Sequence, residues 1–427
     1  FAAADVVFQG EAEGRIDALL AAVDADGSVV VAQSAVYPSP DSIPVPRFEL
    51  LDLPAYGALS IQTSRGCPYS CEFCDIIELF GRKPRVKSPD QVIAELDAVH
   101  ALGYRGTVFV VDDNFIGHRR KTAALLDAVG QWQAERGHPF ELQTEASVNL
   151  ADDEGLLQGM VAAGFTAVFV GIETTSEEAL IGAGKTQNLR RPLSEVVERL
   201  STAGLEVMGG FIVGFDSDGP DVFDQQRAFL QDAPIPLAMV GPLMALPSTA
   251  LWRRLAREGR LRTEGSGLEG DQFGRPNFEP AMDEAVLLRG YADLMWDLYS
   301  PDAWYDRCEA FLDRAPGVPG LRKSDPKDLL SLLRISWDVG VRSSWRGRYW
   351  RLLARTLRRR PRAFSWAVIR AMVGQHMIRY TRHDLIPRLE DSLRAIAAER
   401  AQLEAAAPTA PIAPAAGTGG QGRALLG

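Results

Sequence analysis

Short apolar segments alternate with longer amphipathic segments along residues 58–255. The apolar segments have the length and composition of buried strands, whereas the longer segments repeat their apolar positions at helical spacing. We predict strands at 59–63, 107–111, 141–145, 167–171, 207–213 and 238–241, separated by helices that include 89–102, 119–136, 152–163 and 192–203. Repeated strand–helix units favour a parallel sheet. The pattern therefore predicts an α/β fold, a partial (β/α)6 TIM-like barrel rather than the closed eight-unit form.

The segments on either side of this barrel differ in composition. Residues 1–35 contain a strand-like run and an amphipathic run, as expected for the remnant of an amino-terminal α/β domain. Residues 36–57 contain five prolines, which disfavour helix and central strand, so we interpret them as an extended linker. Residues 256–402 are predicted to form a loop and a helical carboxyl-terminal domain. Residues 403–427, rich in Ala, Pro and Gly, are predicted to be disordered.

Three of the four cysteines lie close together after the first predicted strand of the barrel. Cys67, Cys71 and Cys74 have the spacing C-x-x-x-C-x-x-C, whereas Cys308 is isolated and is expected to be a small buried side chain. A structural zinc site usually has four ligands, and a disulfide staple suits a small secreted domain. Iron–sulfur clusters are normally held by four thiolates, so three leave one iron open for a substrate or cofactor. We therefore predict a catalytic 4Fe-4S cluster.

The cysteine spacing, with aromatic Phe73 just before the last cysteine, resembles the signature of the radical S-adenosylmethionine (SAM) superfamily. The resemblance implies that Cys67, Cys71 and Cys74 hold a 4Fe-4S cluster whose open iron chelates the amino and carboxylate groups of SAM. An electron from a reductant such as flavodoxin or ferredoxin would then cleave SAM to a 5′-deoxyadenosyl radical. In such barrels the chemistry takes place at the carboxyl ends of the strands.

Polar or Gly-rich clusters follow several of the predicted strands, and they supply the candidate cofactor contacts. The candidates are Asp113, Asn114, Glu145, Glu173, Gly210, Ile212 and Gly214. By resemblance, Glu173 would contact the SAM ribose, and Asp113 or Asn114 its methionyl end. The run from Gly210 to Gly214 is similar to the family's G-x-I-x-G pattern, where glycines let the backbone approach the adenine. Alternatively, an acid at a strand end is a helix cap or part of a solvated loop, and for Glu145 this alternative is equally acceptable.

Other stretches resemble the radical SAM methyltransferases that are associated with cobalamin. Pro247 and Thr249 open a helix as in that class, and residues 74–87 with the arginine-rich tail are most similar to the branch that includes hopanoid C-2 methylases. The resemblance implies methylation of an unactivated carbon in a lipid-like substrate by methylcobalamin. Residues 5–13 end like a strand of the family's cobalamin-binding domain, whose Asp-x-His-x-x-Gly motif would lie upstream, so we expect cobalamin in the intact protein. Alternatives are a radical SAM enzyme that modifies RNA or another small molecule, and a non-enzymatic iron–sulfur sensor.

Positive charge is concentrated in one part of the helical region. Residues 339–383 contain twelve arginines and no acid, in a chain whose net charge is −10. Arg348, Arg351, Arg355, Arg358 and Arg362 recur at spacings of three and four, which favours one helical face. This face either packs on the acidic barrel or lies on an anionic membrane. A third alternative, binding of nucleic acid, is not favoured because no RNA-binding motif is recognisable.

Composition adds an expectation about localisation. The 427 residues are 46% hydrophobic and 24% charged, enough for a large core. We find no run near the ~18 apolar residues of a membrane span and no signal-peptide pattern. An oxygen-sensitive cluster needs a reducing compartment. We therefore expect a cytoplasmic protein, in peripheral contact with the inner membrane face if the arginine-rich helices lie on a membrane.

Overall fold

The computed structural model of the protein describes residues 4–25, 29–32, 34, 36–262, 274–315 and 326–406. Its strands are β1 Val6–Phe8, β2 Val29–Val31, β3 Ala58–Ile61, β4 Ser64–Arg65, β5 Arg85–Val86, β6 Thr107–Val110, β7 Glu141–Ala146, β8 Phe165–Glu173, β9 Glu206–Val213 and β10 Leu237–Pro242. Six of these strands form one sheet in the order β10-β9-β8-β7-β6-β3, and all neighbouring pairs are parallel. Their carboxyl ends therefore lie at one edge of the sheet.

Helices follow the strands and cover the sheet. They are α1 Ile16–Val23, α2 Ile76–Leu79, α3 Pro89–Ala101, α4 Arg119–Glu135, α5 Glu154–Ala162, α6 Glu177–Gly182, α7 Leu193–Ala203, α8 Val222–Asp232, α9 Ala250–Arg257, α10 Glu284–Leu298, α11 Pro301–Arg314, α12 Pro326–Asp338, α13 Arg346–Arg359, α14 Phe364–Tyr380 and α15 Ile386–Ala406. The predicted α/β fold is confirmed, since every strand and helix predicted in the barrel is present with its ends within two residues. The largest core cluster extends through the sheet and its helices into the carboxyl-terminal helices.

Local sequence signals explain why the barrel helices begin where they do. Ser88 accepts a hydrogen bond from the backbone N–H of Gln91, whose side chain accepts one from the backbone N–H of Ser88, and Pro89 occupies the first helical position. This is a capping box, which satisfies donors that the first turn of α3 would otherwise leave unpaired. Strand β9 is buried along most of its length, as expected for a strand of a parallel sheet with covered faces.

The amino-terminal segment forms a small unit of its own. β1 pairs in parallel with β2, and α1 connects them. The strand and the helix match the predicted pattern, whereas β2 has only three residues and was not predicted. The linker is less extended than predicted, because short 3-10 turns form at Pro40–Ser42, Phe48–Leu50 and Leu53–Ala55. Proline fits such turns because its fixed φ suits their first positions.

The carboxyl-terminal helices extend further than the sequence suggested. Helix α15 ends at Ala406, so the prediction of disorder from residue 403 is wrong for residues 403–406. The reason is that Ala, Glu, Arg and Leu dominate this run and favour helix, and they outweigh the low complexity that begins just beyond. Residues 407–427 lie outside the described part of the chain. Cys308 in α11 is fully buried, as predicted.

Most of the arginines proposed to face a membrane instead contact an acidic helix. Arg348 pairs with Asp302 and Asp306 of α11. Arg351 and Arg355 both pair with Glu309, and Arg355 also pairs with Asp313. The acids recur at helical spacing, so one face of α11 matches one face of α13. These contacts favour the packing alternative, with α11 rather than the barrel as the main partner.

One arginine of this region does contact the barrel. Arg370 in α14 donates to the Glu206 carboxylate at the start of β9, which also accepts a hydrogen bond from Trp366 at 2.6 Å. Glu206 is 2% exposed, so this is a buried charged contact between the sheet and the helical region. None of the helices in the described ranges is long and apolar enough to span a bilayer.

Candidate active site

The loop that carries the three cysteines begins at the carboxyl end of β3 and is fixed there by Asp112. Asp112 follows the neighbouring strand β6 and is 1% exposed. Its carboxylate accepts hydrogen bonds from the backbone N–H of Thr63 at 2.7 Å and of Ser64 at 2.9 Å, and from both hydroxyls. Burial raises the pKa of Asp112, and these hydrogen bonds oppose that effect. One buried carboxylate therefore determines how the chain leaves the sheet towards Cys67.

The three cysteines lie in a partly buried loop, and all three thiols are free. Burial raises the pKa of Cys67, and it raises that of Cys74 to about 12, with added contributions from the neighbouring thiolates. Such thiols stay protonated at neutral pH unless a metal binds the thiolate. The side-chain amides of Asn114 and Gln187 donate to the Sγ atoms of Cys67 and Cys71 at 3.8 and 3.7 Å. Hydrogen bonds to sulfur are one means by which proteins tune iron–sulfur clusters.

Glu173 lies at the carboxyl end of β8 and forms a buried ion pair with Lys185. Its backbone has φ +64°, and the pairing of β8 with β9 shifts register between Gly171 and Glu173. A left-handed φ is strained for a residue other than glycine. Asn188 stabilises this bulge by donating to the carbonyls of Gly171 and Ile172 at 3.1 and 3.0 Å. The bulge thus holds the Glu173 carboxylate against Lys185 at the carboxyl end of β8.

Lys185 connects this ion pair to the cysteine loop. Its side chain is 11% exposed, and Nζ lies 5.8 Å from the centre of the Phe73 ring. Burial alone would lower the pKa of Lys185, but the Glu173 carboxylate, with help from the Cys71 and Cys74 thiolates, keeps it above the ordinary value. A permanent cation thus lies beside sulfurs that become anionic when they bind iron.

Asp113, Asn114 and Glu145 lie together at the ends of β6 and β7. Asp113 accepts a hydrogen bond from the backbone N–H of Gly66 at 2.8 Å, directly before the first cysteine. Asn114 accepts one from Ser147 at 3.1 Å while its amide donates to Cys67. Burial raises the pKa of Glu145, and the charges of Asp113 and Asp112 raise it further. Asp113 and Asn114 therefore support the loop, and their predicted contact with SAM stays a prediction.

The predicted G-x-I-x-G run forms the end of β9, and its glycines have separate structural reasons. A side chain at Gly210 would meet the Phe169 ring at 2.7 Å, so packing between neighbouring strands requires glycine. Gly214 has φ +95°, which disfavours any residue with a side chain. Ile212 packs against a second core cluster that also includes Phe215. These reasons neither require nor exclude the predicted approach to adenine.

Phe73 connects the cysteine loop to the turn after β9. Its ring meets that of Phe215 edge-on, with the centroids 6.1 Å apart. The loop is also held by backbone contacts, since Glu72 donates to the Ala183 carbonyl at 2.9 Å and accepts from Leu251 at 2.8 Å. The cysteine loop therefore packs between the ends of β8, β9 and the start of α9.

Asp218 in this turn predicts a pH-dependent stability. Its carboxylate accepts hydrogen bonds from the backbone N–H groups of Gly214 and Phe215 at 2.8 and 3.0 Å, and burial raises its pKa to about 6. Because the folded state binds this proton more tightly than the unfolded chain, the stability should fall as pH rises from about 4 through about 6. Asp218→Asn should remove this pH dependence. Between pH 5 and 7.5, the free energy of unfolding in urea should fall by about 1 kcal/mol more in wild type than in Asp218→Asn. A difference in stability between the two proteins that does not change with pH would contradict this prediction.

Sequence reasoning missed several residues that the structure places at the site. Asp112, which directly precedes the candidate Asp113, was not among the predicted site residues, and neither were Lys185, Gln187 and Asn188. The available signal was the polar run that follows α6, but such a run also suits an ordinary surface loop. Within the described ranges, no three His, Cys, Asp or Glu side chains are grouped to hold a single metal ion. The assignment of the three cysteines to a multi-iron cluster is therefore still a prediction.

Comparison with known proteins identifies the family. Residues 61–225 match the sequence model of the radical SAM superfamily. The chain is also 37% identical over 415 residues to an uncharacterized methyltransferase of Synechocystis sp., and the match covers 96% of this chain and 77% of that protein. The chain belongs to the radical SAM methyltransferases. Membership in this superfamily implies SAM and a 4Fe-4S cluster as cofactors.

Another relative of this radical SAM methyltransferase is also a methylating enzyme. The hopanoid C-2 methylase of Rhodopseudomonas palustris is 36% identical over 347 residues, which cover 79% of this chain but 64% of that protein. Residues 249–385 match a domain of unknown function, DUF4070, which covers α9 and most of the helical region.

Solved structures support the fold. The radical SAM methyltransferase TsrM of Kitasatospora setae, with cobalamin and a 4Fe-4S cluster bound, matches with a TM-score of 0.50 and 17% identity, over 82% of this chain and 71% of that one. The cobalamin-dependent SAM radical enzyme OxsB has the same TM-score at 16% identity, over 84% of this chain and 61% of that one. At these identities the matches show a shared fold.

The residues around the cysteine loop fit the cluster that the family implies. The loop offers three thiols, two amide donors to sulfur and a buried ammonium group, from Lys185. An anionic cluster is stabilised by thiolate ligands, hydrogen bonds to sulfur and nearby positive charge. The three thiols can supply the thiolates on binding iron, and the two amides and Lys185 supply the other two features.

Proposed function

We propose that this enzyme is a cobalamin-dependent C-methyltransferase that methylates an unactivated carbon of a hopanoid-type lipid. The observation that carries the proposal is the cysteine loop at the carboxyl edge of the sheet, fixed by Asp112 and flanked by the Lys185–Glu173 pair. The relationship to a hopanoid C-2 methylase supports the substrate class. The amino-terminal βαβ unit and the fold shared with enzymes solved with cobalamin support the second cofactor.

Each part of the site has a distinct role in this proposal. Cys67, Cys71 and Cys74 hold the cluster, while Asn114 and Gln187 stabilise two of the thiolates. When bound, the cluster supplies the electron that cleaves SAM, and cobalamin carries the methyl group. The electron comes from a reductant such as flavodoxin or ferredoxin. The chain itself orients the cofactors and excludes water.

The SAM contacts are proposed at the same edge of the sheet. Glu173, held by its ion pair with Lys185, would accept a hydrogen bond from the ribose hydroxyls, and the backbone from Gly210 to Gly214 would contact the adenine. Among the described residues, no side chain donates a hydrogen bond to the Glu145 carboxylate, so it is available to accept one from SAM. Asp113 or Asn114, which both support the cysteine loop, would contact the methionyl end of SAM.

The substrate class is tested by following a labelled methyl group. We would incubate the intact, anaerobically reconstituted protein with cobalamin, reductant, hopanoid lipid and SAM carrying a trideuterated methyl group. The proposal predicts a trideuteromethyl group on a ring carbon of the lipid, detected by mass spectrometry. Cleavage of SAM without any label in the lipid would contradict the hopanoid assignment but leave radical SAM chemistry intact.

A membrane surface is the second part of the proposal, on a different face from the one first predicted. Trp337 and Trp350 are 60% and 48% exposed, and Val341 and Leu357 are also exposed. Trp350 donates to the Gly340 carbonyl at 2.8 Å, and Gly340 lies three residues after Trp337, so Trp350 packs at the carboxyl end of α12. Exposed aromatic and apolar side chains among arginines are typical of helices that lie on anionic membranes.

We therefore expect the protein to bind anionic vesicles through this face. Trp337→Ser combined with Val341→Ser should lower vesicle partitioning about tenfold, because it removes apolar surface that would be buried in the interface. Leu403→Ser, which changes a side chain that is 72% exposed on α15, is the matched control and should have little effect. Flotation with anionic and neutral vesicles measures both. Equal partitioning of wild type and the double variant would refute the membrane assignment.

A further inference from the structure

The base of the cysteine loop is a small antiparallel hairpin that carries two arginines. β4 lies directly before the loop and β5 directly after it, so residues 66–84, including all three cysteines, are enclosed between them. Arg65 and Arg85 are directly opposite each other in this pairing. Like charges at opposed positions destabilise a strand pair. A counter-charge beside the two arginines would therefore stabilise the closed hairpin.

Glu11 of the amino-terminal βαβ unit provides that counter-charge. Arg85 binds its carboxylate through both terminal nitrogens, and Arg65 donates to the same carboxylate. The side chains of Glu11, Arg65 and Arg85 are 5%, 18% and 15% exposed, so the contact is largely excluded from water. Glu13 forms an ion pair with Arg65 at 2.8 Å and accepts no hydrogen bond from Arg85 among the described contacts. A single carboxylate thus joins both strands at the base of the loop.

Backbone contacts at the base of the loop bring the residues that follow β4 against those that precede β5. The backbone N–H of Cys67 donates to the Gly81 carbonyl at 3.3 Å. A side chain at Gly66 would meet that same carbonyl oxygen at 2.8 Å. The two ends of the loop therefore touch directly beside the first cysteine, and a small opening of the hairpin would move Cys67.

We propose that Glu11 is a positioning residue through which the amino-terminal unit holds the cysteine loop closed. The conformation of the cysteine loop then depends on the contact between this unit and the hairpin, although the unit contributes no ligand to the cluster. The role in cluster placement rests on the proposed function. The closure of the loop does not, and it can be measured on the protein without iron.

The test is amide hydrogen exchange of the full chain without iron, comparing wild type, Glu11→Gln and Glu13→Gln. In Glu11→Gln we expect exchange of residues 66–84 to rise about tenfold or more, while α4 keeps its wild-type rates, because local opening becomes easier. Glu13→Gln, which leaves Glu11 between the arginines, should change the loop much less. If Glu11→Gln fails to fold, Glu11→Asp replaces it, since the shorter side chain cannot reach both arginines. Wild-type exchange in the loop of either Glu11 variant would overturn the proposal.

Two further measurements separate closure from simple charge compensation. In the triple variant Glu11→Gln, Arg65→Gln and Arg85→Gln, loop exchange should stay raised, because no carboxylate then joins β4 to β5. Recovery of wild-type rates would show that Glu11 acts only by offsetting the repulsion between the arginines, and would overturn its role in holding the strands together. After reconstitution, Glu11→Gln should show a weaker visible circular-dichroism signal per iron, whereas Glu13→Gln should keep nearly the wild-type signal. An unchanged signal in a protein with an open loop would remove the link to the cluster while leaving the proposed methyl transfer intact.

Discussion

Replacing any one of Cys67, Cys71 or Cys74 by Ala should abolish SAM cleavage and the visible absorbance of the reconstituted cluster. In the proposed site each thiolate holds a separate iron, so the loss of one leaves a second open position. Burial raises the pKa of Cys67 and Cys74, so these thiols are protonated when iron is absent. A site with only two cysteines is therefore expected to bind iron weakly. Iron and sulfide content, absorbance and 5′-deoxyadenosine are the measurements.

Cys308→Ala is the matched control for these variants. Cys308 is fully buried in α11, far along the chain from the loop, and its removal should cost about 1 kcal/mol of stability by loss of packing. Cluster content and SAM cleavage should be unchanged. If Cys308→Ala removed the cluster while Cys71→Ala retained it, the ligand assignment would be wrong.

Lys185→Met should destabilise the fold by about 3–5 kcal/mol, because it leaves the buried Glu173 carboxylate without its partner. Glu173 already has a strained backbone, so it has little freedom to move towards water. The variant also loses the cation beside Cys71 and Cys74, so we expect reduced cluster content. Urea unfolding of the iron-free protein measures the first effect separately from the second.

The double variant Glu173→Gln with Lys185→Met distinguishes the ion pair from other causes. Removing both charges should restore most of the stability lost in Lys185→Met, since no unpaired buried charge remains. SAM binding should still be weaker by about 1–3 kcal/mol if Glu173 itself accepts a hydrogen bond from SAM, and calorimetry measures this. If the double variant is no more stable than Lys185→Met, the unpaired Glu173 carboxylate is not the cause of the stability lost in Lys185→Met.

The sequence was sufficient for the barrel because each strand and helix has a strong local pattern. The run at β9 is apolar and β-rich, and the run at α4 repeats its apolar positions over more than four turns. The three-residue strand β2 and the two-residue strands β4 and β5 have no such pattern, because strands that short depend on their partners.

The site was only partly predictable for a related reason. Cysteine spacing is local in sequence, and it led directly to Cys67, Cys71 and Cys74. Lys185 becomes a candidate only when the loop after α6 brings it to Glu173, and Glu11 only when the amino-terminal unit meets the hairpin. Such long-range partners leave no periodic signal.

The arginine-rich segment shows how a correct pattern led to an incomplete interpretation. Arg348, Arg351 and Arg355 do share a helical face, as their spacing predicts. The acids of α11 also recur at helical spacing, but the two faces are more than thirty residues apart in the chain and their contact was not visible in either one alone. The exposed surface that remains is marked by Trp337 and Trp350 instead.

The central claim is that SAM is cleaved at a cluster held by this cysteine loop, and product analysis tests it most directly. The intact protein would be reconstituted anaerobically with iron and sulfide, checked for cluster content, and incubated with SAM, cobalamin and a reductant. We predict 5′-deoxyadenosine, formed together with S-adenosylhomocysteine and absent from Cys71→Ala. SAM left uncleaved by wild-type protein with a full complement of iron and sulfide would contradict the account.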